Sequence, residues 1–72
     1  MEPQIDTALD LPTQIERRRK ALTVSELADL IHISSKQIYE LVAKSYIPSY
    51  RIAGSIRFDP KLVADWLRAQ AS

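Results

Sequence analysis

The sequence predicts one small domain, mainly α-helical, with a single short β-hairpin. Three observations predict it. Two capping boxes, Thr23-Val-Ser-Glu26 and Ser34-Ser-Lys-Gln37, open two short amphipathic segments with only His32 and Ile33 between them. A third helix start stands at Asp59-Pro60, where aspartate caps and proline loses nothing by lacking an N–H. Between the second and third segments, SYRIAGSIRF (Ser49 to Phe58) alternates apolar and polar residues about Gly54, the one glycine in the chain.

Each element has its own justification. In the first helix, Val24, Leu27, Ala28 and Ile31 fall at i, i+3, i+4 and i+7, a single apolar stripe, and Leu22 with Leu27 forms a hydrophobic staple across the cap. The second helix buries Ile38, Leu41 and Val42, with Ile33 and Ile38 as its staple. So short a connection forces a steep crossing, as in a helix-turn-helix unit. The last helix presents Leu62, Val63, Trp66 and Leu67, runs to about Ala69, and is stapled by Phe58 and Val63.

The hairpin register is argued from face uniformity. A three-residue loop, Ile52-Ala53-Gly54, pairs Tyr50 with Ile56 and Arg51 with Ser55, with Gly54 as a left-handed bulge residue. A two-residue Ala53-Gly54 loop would need Ala53 at positive φ, which costs energy for a residue with a Cβ. The expectation is therefore Tyr50, Ile56 and Phe58 inward, and Ser49, Arg51, Ser55 and Arg57 sharing the outer face. Residues 1–16 lack periodicity, and Leu11-Pro12 reads as a breaker. They are expected to be largely disordered, with a turn or two of helix around residues 14–20.

Composition bounds the function. At 72 residues, about 60% of the unfolded chain's surface is buried on folding. The 46% apolar content is too high for a wholly disordered chain. The absence of cysteine excludes disulfides and thiolate metal sites and fits a reducing compartment. No apolar run approaches the roughly 20 residues of a membrane span, and no signal-peptide core opens the chain. The expectation is a cytoplasmic protein. Catalysis has no footing: His32 has no acid at metal spacing, Asp59 and Asp65 read as a cap and a solvated position, and no glycine-rich phosphate loop exists. No enzyme activity, cofactor or metal is expected.

Net charge is only +1, but it is unevenly spread. Residues 1–16 carry four acids and no base, Arg17, Arg18, Arg19 and Lys20 follow as a basic run, and residues 34–58 hold Lys36, Lys44, Arg51 and Arg57 against Glu40 alone. Local patches set the field that a partner feels. The second helix of a helix-turn-helix brings its N-terminal residues to the major groove of DNA. Ser34, Ser35, Lys36 and Gln37 are placed to arrive there, with Tyr39 and Lys44 flanking. Serine and lysine reach phosphates, and glutamine or lysine reads base edges. Helix, tight turn, helix, hairpin and packed helix is the order of a winged helix-turn-helix, with the hairpin as the wing.

The stretch from "LTVSELA" through "ISSKQIY" and "IPSYRIAGSIRF" to "WL", residues 22–67, resembles the excisionase family of small winged DNA-binding proteins, related to the DNA-binding head of MerR-type regulators. The resemblance implies a recognition helix in the major groove and a wing along the adjacent minor groove. Carried over by position, the recognition residues are Ser34, Ser35, Lys36, Gln37 and Tyr39, and the wing residues are Arg51, Ser55 and Arg57. The sequence departs from the family at His32, Ser45 and Ala53, where glycine is frequent. It also departs at Ser35, near which an arginine is common; Ser35 and Ser55 leave it less basic than many relatives, which implies weaker single-site binding. The basic run Arg17 to Lys20 is a candidate arm onto phosphate, which divides the chain into an arm over residues 1–20 and a DNA-binding domain over 21–70. The function implied is sequence-specific binding of double-stranded DNA by an architectural factor that steers a separate integrase or recombinase, with copies assembling cooperatively on repeated sites. The alternative is a small transcriptional regulator of a phage or mobile element. A third reading, a protein-interaction module, would leave Lys36, Arg51 and Arg57 dispensable.

Overall fold

The computed structural model describes residues 10–70. Helices α1 (Leu11–Glu16), α2 (Val24–Ile31) and α3 (Ser35–Ala43) precede strands β1 (Tyr50–Ile52) and β2 (Ser55–Arg57), and α4 (Pro60–Gln70) closes the chain. This is a mainly helical winged helix-turn-helix. Both capping boxes form. Thr23 Oγ1 accepts the N–H of Glu26 at 3.0 Å while Glu26 Oε1 accepts that of Thr23 at 2.9 Å. Ser34 and Gln37 repeat the exchange at 3.1 and 3.0 Å. At α4, Asp59 Oδ1 accepts the N–H of Lys61 at 2.8 Å.

The three tight junctions use left-handed residues that are not glycine. His32 ends α2 at φ 59, Ser45 ends α3 at φ 57, and Ala53 turns the wing at φ 51. After α3, the N–H of Ser45 donates to Val42 O and that of Tyr46 to Leu41 O, a Schellman ending whose left-handed position ordinarily prefers glycine. Positions 32, 45 and 53, where the resemblance implies frequent glycine, are positions at which this backbone takes positive φ.

The N-terminal region differs from expectation. The helix lies at Leu11–Glu16, not around residues 14–20. Asp10 caps it, with Asp10 Oδ1 accepting the N–H of Thr13 at 3.0 Å. Pro12 sits in the first turn, where proline breaks no helical hydrogen bond and therefore does not act as a breaker. Ile15 is fully buried in the common core, so residues 11–16 are part of the folded domain and not of an arm. Helix α1 packs on α4, and Arg68 ties them by reaching Glu16 Oε1 at 2.6 Å, while Asp65 of its own helix holds the guanidinium at 3.2 Å. The expected disorder over residues 1–9 lies outside the described residues.

Ile15, Leu27, Ile38, Phe58 and Val63 form the fully buried centre, joined by Leu22, Val24, Ala28 and Ile47. Trp66 was expected to be buried. It is only partly so and packs at the margin, while Val63 and Ala64 carry the inner face of α4. Leu62 points outward at 40% exposure.

The wing also differs in register. Tyr50 pairs with Arg57, Arg51 with Ile56 and Ile52 with Ser55, around a two-residue Ala53-Gly54 turn. Both turn residues have positive φ, 51° and 82°, the signature of the type I′ turn whose twist matches that of the strands. Face uniformity does not set the register because β1 is exposed along its whole length, so mixed faces cost little and the turn geometry decides. Ile56 and Phe58 do turn inward, but Tyr50 is 52% exposed. Arg51 and Arg57 lie on opposite faces of the hairpin, not on one. The wing is anchored at its base by reciprocal bonds between Leu22 and Phe58, both 2.9 Å.

Candidate nucleic-acid interface

The exposed start of α3 carries Ser34, Ser35, Lys36 and Gln37. Ser34 and Gln37 are closed on one another: besides the two backbone bonds, Ser34 Oγ donates to Gln37 Oε1 at 3.2 Å. The Gln37 oxygen is therefore occupied by the cap, and its amide N–H groups are what it can offer outward. Ser35 and Lys36 project from the same turn with no such engagement. A shallow cleft runs from Ser34, Ser35 and Gln37 back to Ser25 and Asp29 of α2, with His32 on its wall.

The other half of the site lies between α3 and the wing. A cleft of about 360 Å³ is lined by Tyr39 of α3, Arg51, Ser55 and Arg57 of the wing, and Thr23 and Ser25 at the start of α2. Four side chains singled out from the sequence thus meet in one depression, although they are up to 18 positions apart in the chain. Tyr39 stands 54% exposed at its edge. Ser25 lines both clefts and joins the two halves. It was not singled out from the sequence. The available signal was its spacing: Ser25, Asp29 and His32 fall at i, i+4 and i+7, on one face of α2 that leads to the helix-turn-helix turn.

Not every expected residue converges. Lys44 lies at the C-terminal end of α3, where its ammonium sits 5.9 Å from the centroid of the Tyr46 ring. Arg18 and Arg19 lie on the opposite side of the wing, in a second cleft that Arg57 also lines. Arg57 therefore borders both, and its Nη1 donates to Ile56 O at 2.9 Å, which folds the guanidinium back along the strand.

The electrostatics follow from the caps. The carboxyl of Glu26 is held below the usual carboxylate range, first by the N–H of Thr23, with the Thr23 hydroxyl and the charges of Arg18 and Arg57 adding to it. Asp10 is lowered likewise by its bonds to the Thr13 side chain and backbone. Among the described residues no group of side chains is arranged to hold a metal ion, and no helix is long and apolar enough to cross a membrane.

The arrangement is an open basic and hydroxyl-bearing surface spread over two helices and a hairpin, without a closed pocket. Such a surface suits an extended anionic partner better than a small molecule. No curated protein and no solved structure matches the chain. Residues 21–71 match the family model described as the helix-turn-helix domain, and the chain belongs to that family, a domain type that supports binding of double-stranded DNA.

Proposed function

We propose that the protein binds double-stranded DNA sequence-specifically, with α3 entering the major groove and the wing lying on the adjacent backbone. The observation that carries this reading is the cleft in which Tyr39, Arg51, Ser55 and Arg57 meet Ser25, beside the exposed turn bearing Ser35 and Lys36. Lys36 and the amide of Gln37 read base edges. Arg51 and Arg57 take phosphates, as do the hydroxyls of Ser25, Ser35, Ser55 and Tyr39. Lys44 lies too far along α3 for base contact and takes a flanking phosphate. The protein acts without chemistry of its own, as an excisionase-like architectural factor for a site-specific recombinase, with copies assembling on repeated sites. The resemblance over residues 22–67 supports that role, and it equally fits a small transcriptional regulator of a mobile element.

The test is titration of the full chain against a duplex that it selects from a random pool. The three cations on phosphates, Lys44, Arg51 and Arg57, give a slope of log K on log salt of about −3 or steeper, at roughly −0.9 per phosphate. Lys36→Ala should change the selected sequence. Arg51→Ala should weaken binding to all sequences and flatten the slope by about one. Failure to select any sequence, or binding indifferent to salt, refutes the reading.

A further inference from the structure

The basic run before α2 was expected to be an arm, but its position in the fold gives it a more definite place. The cleft behind the wing, about 320 Å³, is bordered by Arg18 and Arg19 on one side and by Tyr50, Ile52 and Arg57 on the other. Glu16 also borders it, but its carboxylate is engaged by Arg68. Asp59 is engaged as the cap of α4. Among the described residues, the side chains of Arg18 and Arg19 form no hydrogen bond or ion pair, and Arg57 bonds only its neighbour's carbonyl. Three guanidinium groups thus surround a groove whose acids are already occupied.

Arg57 makes this groove continuous with the interface on the other side. It lines both clefts, and the observed register puts Arg51 on the face toward α3 and Arg57 on the face toward Arg18 and Arg19. A hairpin with cations on both faces is suited to lie between two anionic strands. A hairpin with both arginines on one face, as expected from the sequence, would meet only one.

We infer that Arg18 and Arg19, with Arg57, form a second phosphate-binding wall, so that the wing is straddled by the two backbones of one duplex: Arg51 on one strand, and Arg18, Arg19 and Arg57 on the other. This inference rests on the DNA-binding reading above. Continuity of the basic strip around the wing favours a duplex over a separate acidic peptide, which would need only the rear groove.

The experiment compares wild type, R18A/R19A, R18K/R19K and R51A on the duplex selected by the wild-type protein, with circular dichroism melts to verify folding. Measurements are the salt slope and hydroxyl-radical protection of each strand at the wing. R18A/R19A should flatten the slope by about two, at roughly 0.9 per phosphate, and lose protection on one strand only. R51A should lose protection on the other strand, and R18K/R19K should restore the slope. The inference is overturned if R18A/R19A keeps the wild-type slope and protection while R51A weakens binding, which leaves the DNA-binding reading intact. It is equally overturned if R18A/R19A binds DNA normally but loses an acidic, apolar test peptide that the wild type binds. If the wild type selects no duplex, the underlying reading itself has failed.

Discussion

Replacing Ala53 by glycine should stabilise the protein. Ala53 sits at φ 51 in the wing turn, a conformation in which its Cβ crowds the backbone. The left-handed region costs a residue with a Cβ roughly 1–2 kcal/mol. Glycine removes that cost but adds conformational freedom to the unfolded chain, which offsets about 0.4–1 kcal/mol. Ala53 is exposed, so no packing is lost. The net gain is about 0.5–1 kcal/mol, which in a domain of this size raises Tm by roughly 2–8 °C. The companion change, Gly54→Ala, acts in the opposite sense. A Cβ at Gly54 would meet nothing within 4 Å, so only φ 82 and the reduced freedom of the unfolded chain enter, for a net loss of about 0.5–1 kcal/mol. Thermal melts followed by circular dichroism measure both. The sign for Ala53 is diagnostic. In a three-residue bulged loop Ala53 would occupy a right-handed position, and glycine there would lower stability by about 0.4–1 kcal/mol. A drop in Tm for Ala53→Gly would therefore refute the two-residue turn, and with it the placement of Arg51 and Arg57 on opposite faces.

Other perturbations probe other parts of the account. Phe58→Ala removes a fully buried ring at the base of the wing and should cost about 3–5 kcal/mol, enough to unfold most of the population, whereas Trp66→Ala at the core margin should cost less in the same denaturant melts. Ser34→Ala breaks the α3 capping box and should cost about 1 kcal/mol. Gln37→Ala should lower stability as well as alter DNA preference, because its oxygen completes that box, and urea titration beside DNA selection separates the two effects. Acid should destabilise the fold through Asp10 and Glu26, both lowered on folding. Their contribution is fully present above the unfolded carboxylate pKa near 4, and it is lost as pH falls through the lower folded values. Thr23→Ala should reduce that acid sensitivity in a pH series of melts, since the hydroxyl of Thr23 is one of the groups that lower Glu26.

Most of the helical architecture was legible because its signals are local. Thr23 with Glu26, Ser34 with Gln37, and Asp59 before Pro60 each write a helix start within four residues, and the stripes behind them identify Leu27, Ile38 and Val63 as core. The order of the elements then implied the wing. What escaped depends on tertiary context or on a close energetic balance. Six residues of α1 carry too short a period to read, and their helix is stabilised by burying Ile15 and by the contact with α4. The wing register turned on whether mixed faces or a strained alanine costs more. With β1 exposed along its length the faces carried little weight, so the local pattern misled. The candidate site was legible as a set of residues but not as a geometry. Tyr39, Arg51, Ser55 and Arg57 were named from sequence, yet their convergence with Ser25 and the separation of the arginines appear only in the folded chain.

Whether the surface formed by the start of α3 and the wing binds double-stranded DNA is decided by backbone amide shift mapping of the isotope-labelled chain, titrated with the selected duplex. The largest shifts should fall over residues 34–39 and 51–57 and at Ser25, with the exposed faces of α1 and α4 nearly unmoved. Shifts centred on α1 and α4, or none at concentrations that saturate the duplex, would contradict it.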